Sequence, residues 1–215
     1  MGNLTLIRHG QASFGEKDYD NLSDLGRKQG NLLGEYLNRQ DVTFDQFFCG
    51  DLKRQVATIQ AINNNYKPEI LIGLNEYEAE TLIESYFSGD IPFEIFQDKK
   101  KYFRIMRLAL QKWQNNELKG LKNCWYDFRH QVLESLRYMT KNTECNTLAV
   151  TSGGPISLIL SEIFKSAPST MIDLNLQIKN TSITKIVVTK KRLYLSEFNS
   201  APHLVNSNAK MITYS

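Results

Sequence analysis

The chain has 215 residues, 41% of them hydrophobic and 23% charged, with a formal net charge of +3. That length suits a single domain over residues 1–215 with a substantial core, and the weak, evenly spread positive balance argues against nucleic-acid or membrane-surface partners while suiting an anionic substrate. Cys49, Cys124 and Cys145 are odd in number and widely spaced; this excludes a disulfide framework or zinc site and, with no leader-like segment or apolar run long enough to span a bilayer, points to a reducing, cytoplasmic setting.

In chain order, residues 3–8 read as an apolar strand that stops at His9-Gly10. Residues 24–39 read as a helix capped by Ser23 or Asp24, with Leu25, Leu32, Leu33, Tyr36 and Leu37 on one stripe. A strand at 45–49 is followed by a helix at 51–64, with Leu52, Val56, Ile59 and Ile62 turned inward, and by a short strand at 69–72. Residues 80–125 lack strand signals, contain Pro92 and are aromatic-rich, which predicts an inserted helical region beside the rest. A helix at 126–141 buries Phe128, Val132, Leu136 and Met139. A buried strand at 147–151 leads through Gly153-Gly154-Pro155 into a helix at 155–165, with Pro155 at its first position. Alternation at 182–189 and 192–198 predicts a hairpin, followed by a mostly irregular tail. Strands separated by helices imply an α/β fold with a mostly parallel sheet.

The chemistry concentrates at Arg8-His9-Gly10. A strand end in an open α/β sheet is where ligands bind. A neutral histidine is a nucleophile for phosphorus, and a neighbouring guanidinium is a fork of donors for phosphate oxygens. Leu22-Ser23-Asp24-Leu25-Gly26-Arg27-Lys28-Gln29, Gly50-Asp51-Leu52-Lys53-Arg54-Gln55-Val56-Ala57-Thr58, Leu74-Asn75-Glu76 and Thr151-Ser152-Gly153-Gly154-Pro155 follow in order. With these motifs the chain resembles the histidine phosphatase, or phosphoglycerate-mutase-like, superfamily. The resemblance implies a three-layer α/β/α sandwich with a mostly parallel central sheet, needing no metal or cofactor. It implies His9 as phosphoryl acceptor, Arg8 and Arg54 as phosphate ligands, and Glu76 as the acid that protonates the leaving group.

Two positions depart from the family pattern. Gly50 stands where serine is usual, and Ser152 stands where the family carries its second histidine. Serine donates one neutral hydrogen bond and brings no charge; losing such a contact typically slows chemistry by roughly a hundred- to thousandfold. The N–H of Gly153 and the helix start after it remain available to an anion. Ser13 and Gln11 lie close enough in sequence to His9 to reach phosphate. His130 and His203 read as surface histidines, Trp113 and Trp125 as packing residues, and Lys99-Lys100-Lys101 as a solvated helix face.

Three activities fit these residues. The first is a metal-independent phosphatase that hydrolyses phosphomonoesters, small-molecule or phosphoprotein, through phospho-His9, with activity reduced by Ser152. The second is a degenerate member that only binds a phosphorylated ligand or partner. The third and weakest is a phosphoglycerate mutase. Oligomeric state leaves no signature in the sequence.

Overall fold

The computed structural model describes residues 1–13, 20–205 and 209–214. Its strands are β1 (Gly2–Arg8), β2 (Gln46–Cys49), β3 (Glu69–Ile70), β4 (Asn146–Thr151), β5 (Ile183–Val188) and β6 (Leu193–Ser200), in the sheet order β3-β2-β4-β1-β5-β6. The pairs β1/β4, β2/β4 and β2/β3 are parallel, whereas β5 runs antiparallel to both β1 and β6. The sheet is therefore mostly parallel at its centre, with an antiparallel hairpin at one edge.

Strand alternation separates two cores. Leu4 and Leu6 of β1, Ala149 of β4 and Ile186 of β5 face the larger one; Ile7, Leu148, Val150 and Ile183 face the other. Successive side chains of a strand point to opposite faces, so a sheet apolar on both sides must be covered on both. The helices α1 (Asp24–Arg39) and α2 (Lys53–Ile62) cover the smaller core through Leu33, Leu37, Ile59 and Ile62. The opposite face carries three inserted helices, α3 (Ala79–Phe87), α4 (Phe93–Gln97) and α5 (Lys99–Gln114). It also carries α6 (Trp125–Met139), α7 (Gly153–Ile163) and α8 (Ser169–Asn175). This is the three-layer sandwich expected, with the insert in place; Trp113 is buried in its core and Trp125 packs on it.

Several local expectations shift. Ser23 caps α1 by accepting from the Gly26 N–H. Its buried face, however, is Gly26, Gln29, Gly30, Leu33, Gly34 and Leu37, and Leu25 and Leu32 are only half-buried. Glycines four apart bring the α1 backbone close to α2: a Cβ on Gly34 would overlap the Ile62 carbonyl. On α2 the buried residues include Arg54, Gln55 and Thr58, while Leu52 and Val56 are half-exposed. α7 starts at Gly153 with Ser152 as its N-cap, which makes Pro155 the third helical residue rather than the first. The tail after β6 holds a short helix, α9 (Pro202–Val205), and a single 3-10 turn at Ala209–Met211. Among the described residues no helix is long and apolar enough to cross a membrane, and the three thiols are free.

Candidate active site

β1 and β4 end side by side. Arg8 pairs with Thr151 in register, and the His9 N–H donates to the Thr151 carbonyl at 2.9 Å, so His9 and Ser152 each lie one residue beyond their strand. His9 is 3% exposed. Its Nδ1 lies 2.7 Å from the Gly10 carbonyl, and its Nε2 lies 3.2 Å from Arg54 Nε. A carbonyl can only accept and a guanidinium N–H can only donate, so the proton sits on Nδ1 and the lone pair on Nε2. Burial, and then the charges of Arg54 and Arg8, hold the His9 pKa well below 6.5. Only the bond to Gly10 opposes this shift. The imidazole is thus neutral at physiological pH and carries its lone pair on Nε2.

The backbone around His9 is fixed from three directions. The Gly10 N–H donates to Thr58 Oγ1 at 2.9 Å, and Thr58 Oγ1 donates to the Arg54 carbonyl at 2.6 Å, which ties α2 to the strand end. Asn180 Nδ2 donates to the His9 carbonyl at 3.1 Å. Thr181, in the left-handed region at φ 55°, donates its N–H to the Arg8 carbonyl at 3.0 Å. A β-branched residue rarely adopts that conformation, and its cost is borne here where the chain positions His9.

Arg54 is 8% exposed and spans His9 and Asp20, with NH1 donating to Asp20 Oδ1 at 2.6 Å. Asp20 also accepts from the Lys53 N–H at 2.9 Å. Arg8 donates through NH1 to the carbonyls of Ile178 and Tyr214, the latter at 2.9 Å.

Glu76 meets the start of α7, where the Gly154 N–H lies 3.1 Å from each of its carboxyl oxygens. The helix terminus that the sequence offered to an anion therefore already holds this chain's own carboxylate. Burial raises the Glu76 pKa above the ordinary carboxyl value, partly offset by the Gly154 N–H and by the charges of Arg8 and Arg54. Ser152 is fully buried, and its Oγ accepts from Gln55 Nε2 at 2.8 Å.

Arg8, Gln11 and Glu76 line a cavity of about 400 Å³ whose other walls are mostly aromatic and aliphatic. Phe96, Tyr102, Phe103 and Met106 come from α4 and α5, Asn175 and Leu176 from the end of α8, and Ile212 to Tyr214 from the tail. The insert therefore forms one side of the site. Lys100 and Lys101 face solvent, as expected of a helix surface; the Lys99 side chain is outside the described residues.

Ser13 does not join the group: its hydroxyl donates to the Asn21 carbonyl at 2.9 Å. His130 is exposed. His203, expected at the surface, is 5% exposed, with Nε2 2.9 Å from Thr181 Oγ1, and burial lowers its pKa to about 4. It supports the turn behind His9 because α9 folds the tail back toward α1. Asp20, Gln55, Asn180 and Thr181 were missed as site residues. Each reaches the site across at least thirty-four positions of sequence or through a turn conformation, and local patterning signals neither. Gln29 was legible within the first motif. Its Oε1 accepts from the Gln11 N–H, and its Nε2 donates to the Met211 carbonyl and Thr213 Oγ1.

The sequence model of the histidine phosphatase superfamily (branch 1) matches residues 4–201. Among solved structures, the phosphoserine phosphatase of Entamoeba histolytica in complex with 3-phosphoglyceric acid is 21% identical. It superposes with a TM-score of 0.70, covering 95% of this chain and 100% of that one. A mycobacterial glucosyl-3-phosphoglycerate phosphatase bound to inorganic phosphate gives 17% and 0.67, with coverages of 94% and 99%. A phosphoglycerate mutase from Bacillus anthracis gives 15% and 0.64, with coverages of 94% and 95%. At these identities the likeness is one of fold.

Proposed function

Because this chain belongs to the histidine phosphatase superfamily, we propose that it is a metal-independent phosphatase hydrolysing phosphomonoesters through a phosphohistidine on His9. The observation that carries the reading is the state of His9: buried, neutral, protonated on Nδ1, with Nε2 beside a guanidinium. In the first step Nε2 attacks phosphorus, an N–P bond forms and the ester P–O bond breaks. Arg54 releases Nε2 and, with Arg8, takes up the phosphoryl oxygens, so the two guanidiniums carry the charge for which other phosphatases use a metal. Protonated Glu76 supplies the proton that the departing alkoxide needs. Glu76, now a carboxylate, draws a proton from water as that water attacks phospho-His9, and phosphate leaves with His9 restored.

Ser152 favours a second reading, in which the same pocket binds a phosphorylated ligand or protein without turning it over. A mutase ranks lowest, because it must hold phosphohistidine through a reorientation of its substrate at a site that lacks the second histidine. Incubation with an aryl phosphate in chelator, beside His9→Ala, separates the first two. Turnover lost in the variant, with an acid-labile phosphoryl label on the wild type, is the expected result. Turnover unchanged in His9→Ala sinks the nucleophile. No turnover, combined with thermal stabilisation by phosphate compounds, leaves the binding role.

A further inference from the structure

We propose that Gln55 is a positioning residue that makes the Ser152 hydroxyl a hydrogen-bond donor to the phosphoryl group. On this proposal Gly50, Gln55 and Ser152 form one unit in place of the family's second histidine. The identity of the ligand rests on the phosphatase reading above; the polarity of the unit rests on geometry alone.

Gln55 is fully buried. Its Nε2 donates to the Leu74 carbonyl at 2.7 Å and to Ser152 Oγ at 2.8 Å, which uses both amide hydrogens. The amide cannot be reversed, because Oε1 would then face the Leu74 carbonyl oxygen, acceptor against acceptor. Ser152 Oγ is thereby committed as an acceptor toward Gln55. Its own hydrogen has no acceptor among the described residues and lies at the strand end that also presents His9. A serine free to rotate offers phosphate a lone pair as readily as a proton; a serine held by Gln55 offers the proton.

Two further observations join the unit. Gln55 Oε1 is buried and has no hydrogen-bond partner among the described residues, a costly state that a residue kept only for packing would not need. A Cβ built on Gly50 would overlap both Gln55 Oε1 and Asn75 Oδ1. The serine usual at position 50 would therefore require the Gln55 and Asn75 amide ends to move from where they lie here. The two departures from the family pattern, more than a hundred residues apart, meet at one side chain.

The test is a double-mutant cycle on Ser152→Ala and Gln55→Met, read in two ways: turnover of an aryl phosphate and the Kd for inorganic phosphate. Each single substitution is expected to lower kcat about 10- to 100-fold, as for a hydrogen bond to a charged group, with KM changed by less than about threefold. The double variant should be no worse than Ser152→Ala within about threefold, because the two act through one donor. The thermal midpoint of Gln55→Met should change little, since removal of the partnerless Oε1 is set against loss of the two Nε2 bonds, and the Leu74 carbonyl keeps the Thr151 hydroxyl. Losses that multiply in the double variant, or a Gln55→Met effect confined to stability, overturn the proposal.

A histidine series gives an independent answer should Gln55→Met fail to fold. Ser152→His alone should gain no activity, because Gln55 fills the adjoining space. Combined with Gln55→Ala and Gly50→Ser it should gain over the single variant, and an equal gain from Ser152→His alone overturns the unit. If wild type turns over nothing, or His9→Ala is unaffected, the phosphatase reading fails by itself. The phosphate Kd cycle then still decides the role of Gln55, with equal, non-additive weakening supporting it and independent effects or no phosphate binding overturning it.

Discussion

On the proposed mechanism His9 and Glu76 divide the chemistry, and their surroundings push their pKa values toward each other from opposite sides. Burial and two guanidiniums keep His9 neutral down to a pH well below 6.5. The rate is therefore lost on the acid side only as pH falls through that depressed value. Burial raises Glu76, so the proton needed by the leaving group persists to higher pH than for an ordinary carboxyl and is lost as pH rises through the raised value. For an alkyl phosphate, kcat/KM is accordingly expected to peak on the acid side of neutrality; an alkaline optimum contradicts the assignment. Glu76→Gln should remove the alkaline limb. It should slow an alkyl ester by roughly 100- to 10,000-fold, the usual worth of a general acid, and a 4-nitrophenyl ester far less, since nitrophenolate leaves without a proton. Equal losses on the two esters would make Glu76 a structural carboxylate that anchors the start of α7.

At the scale of elements, what was legible in the sequence is what short-range physics encodes. β1 and β4 were legible as apolar, buried strands, and of the two cap candidates offered for α1, Ser23 and Asp24, it is Ser23 that caps the helix. The apolar stripe on α6 was read without error, since Phe128, Val132, Leu136 and Met139 are all buried. On α1 and α2 Leu33, Leu37, Ile59 and Ile62 are buried as read, but the rest of the inner faces was not legible because hydrophobicity was the guide, and there close approach and polar bonding decide. Gly30 and Gly34 carry no hydrophobic signal, yet they are where the helices touch, and α2 buries Arg54, Gln55 and Thr58 for the site. Gly34→Ala tests this directly. Helix propensity alone favours alanine by about 1 kcal/mol. The new methyl would meet the Ile62 carbonyl, and overpacking of that kind costs about 1–3 kcal/mol, against backbone that cannot yield easily. The net expectation is a loss of up to about 2 kcal/mol in urea unfolding. A gain in stability would mean that α1 and α2 separate more readily than their packing implies.

The whole molecule builds its cavity from pieces far apart in sequence: the β1 end, the segment after Leu74, α4 and α5, the end of α8, and the tail at 212–214. This explains why the motifs could be read and the pocket could not. The motifs sit at the ends of the central strands and on the helices and turns beside them, whereas the walls come largely from an insert and a tail without sequence signature. It also assigns separate tasks to separate parts. On the proposed mechanism Arg8, His9 and Arg54 act on the phosphoryl group and Glu76 on the leaving oxygen, and these side chains are held by the sheet, α2 and α7. Phe96, Tyr102, Phe103 and Met106 face the space where the esterifying alcohol would lie. A Phe103→Ala variant should then lower kcat/KM for a bulky apolar phosphomonoester about tenfold, since losing the burial of a phenyl ring is worth roughly 1.5–3 kcal/mol when complete. The loss should enter through KM. Once the alcohol has left, phospho-His9 presents the same phosphoryl group to water in both proteins. The slow phase after a pre-steady-state burst should therefore keep its rate constant, and the Kd for inorganic phosphate should not move. A change in either would show that α5 acts on the phosphoryl subsite itself, and the separation of chemistry from alcohol recognition would have to be abandoned.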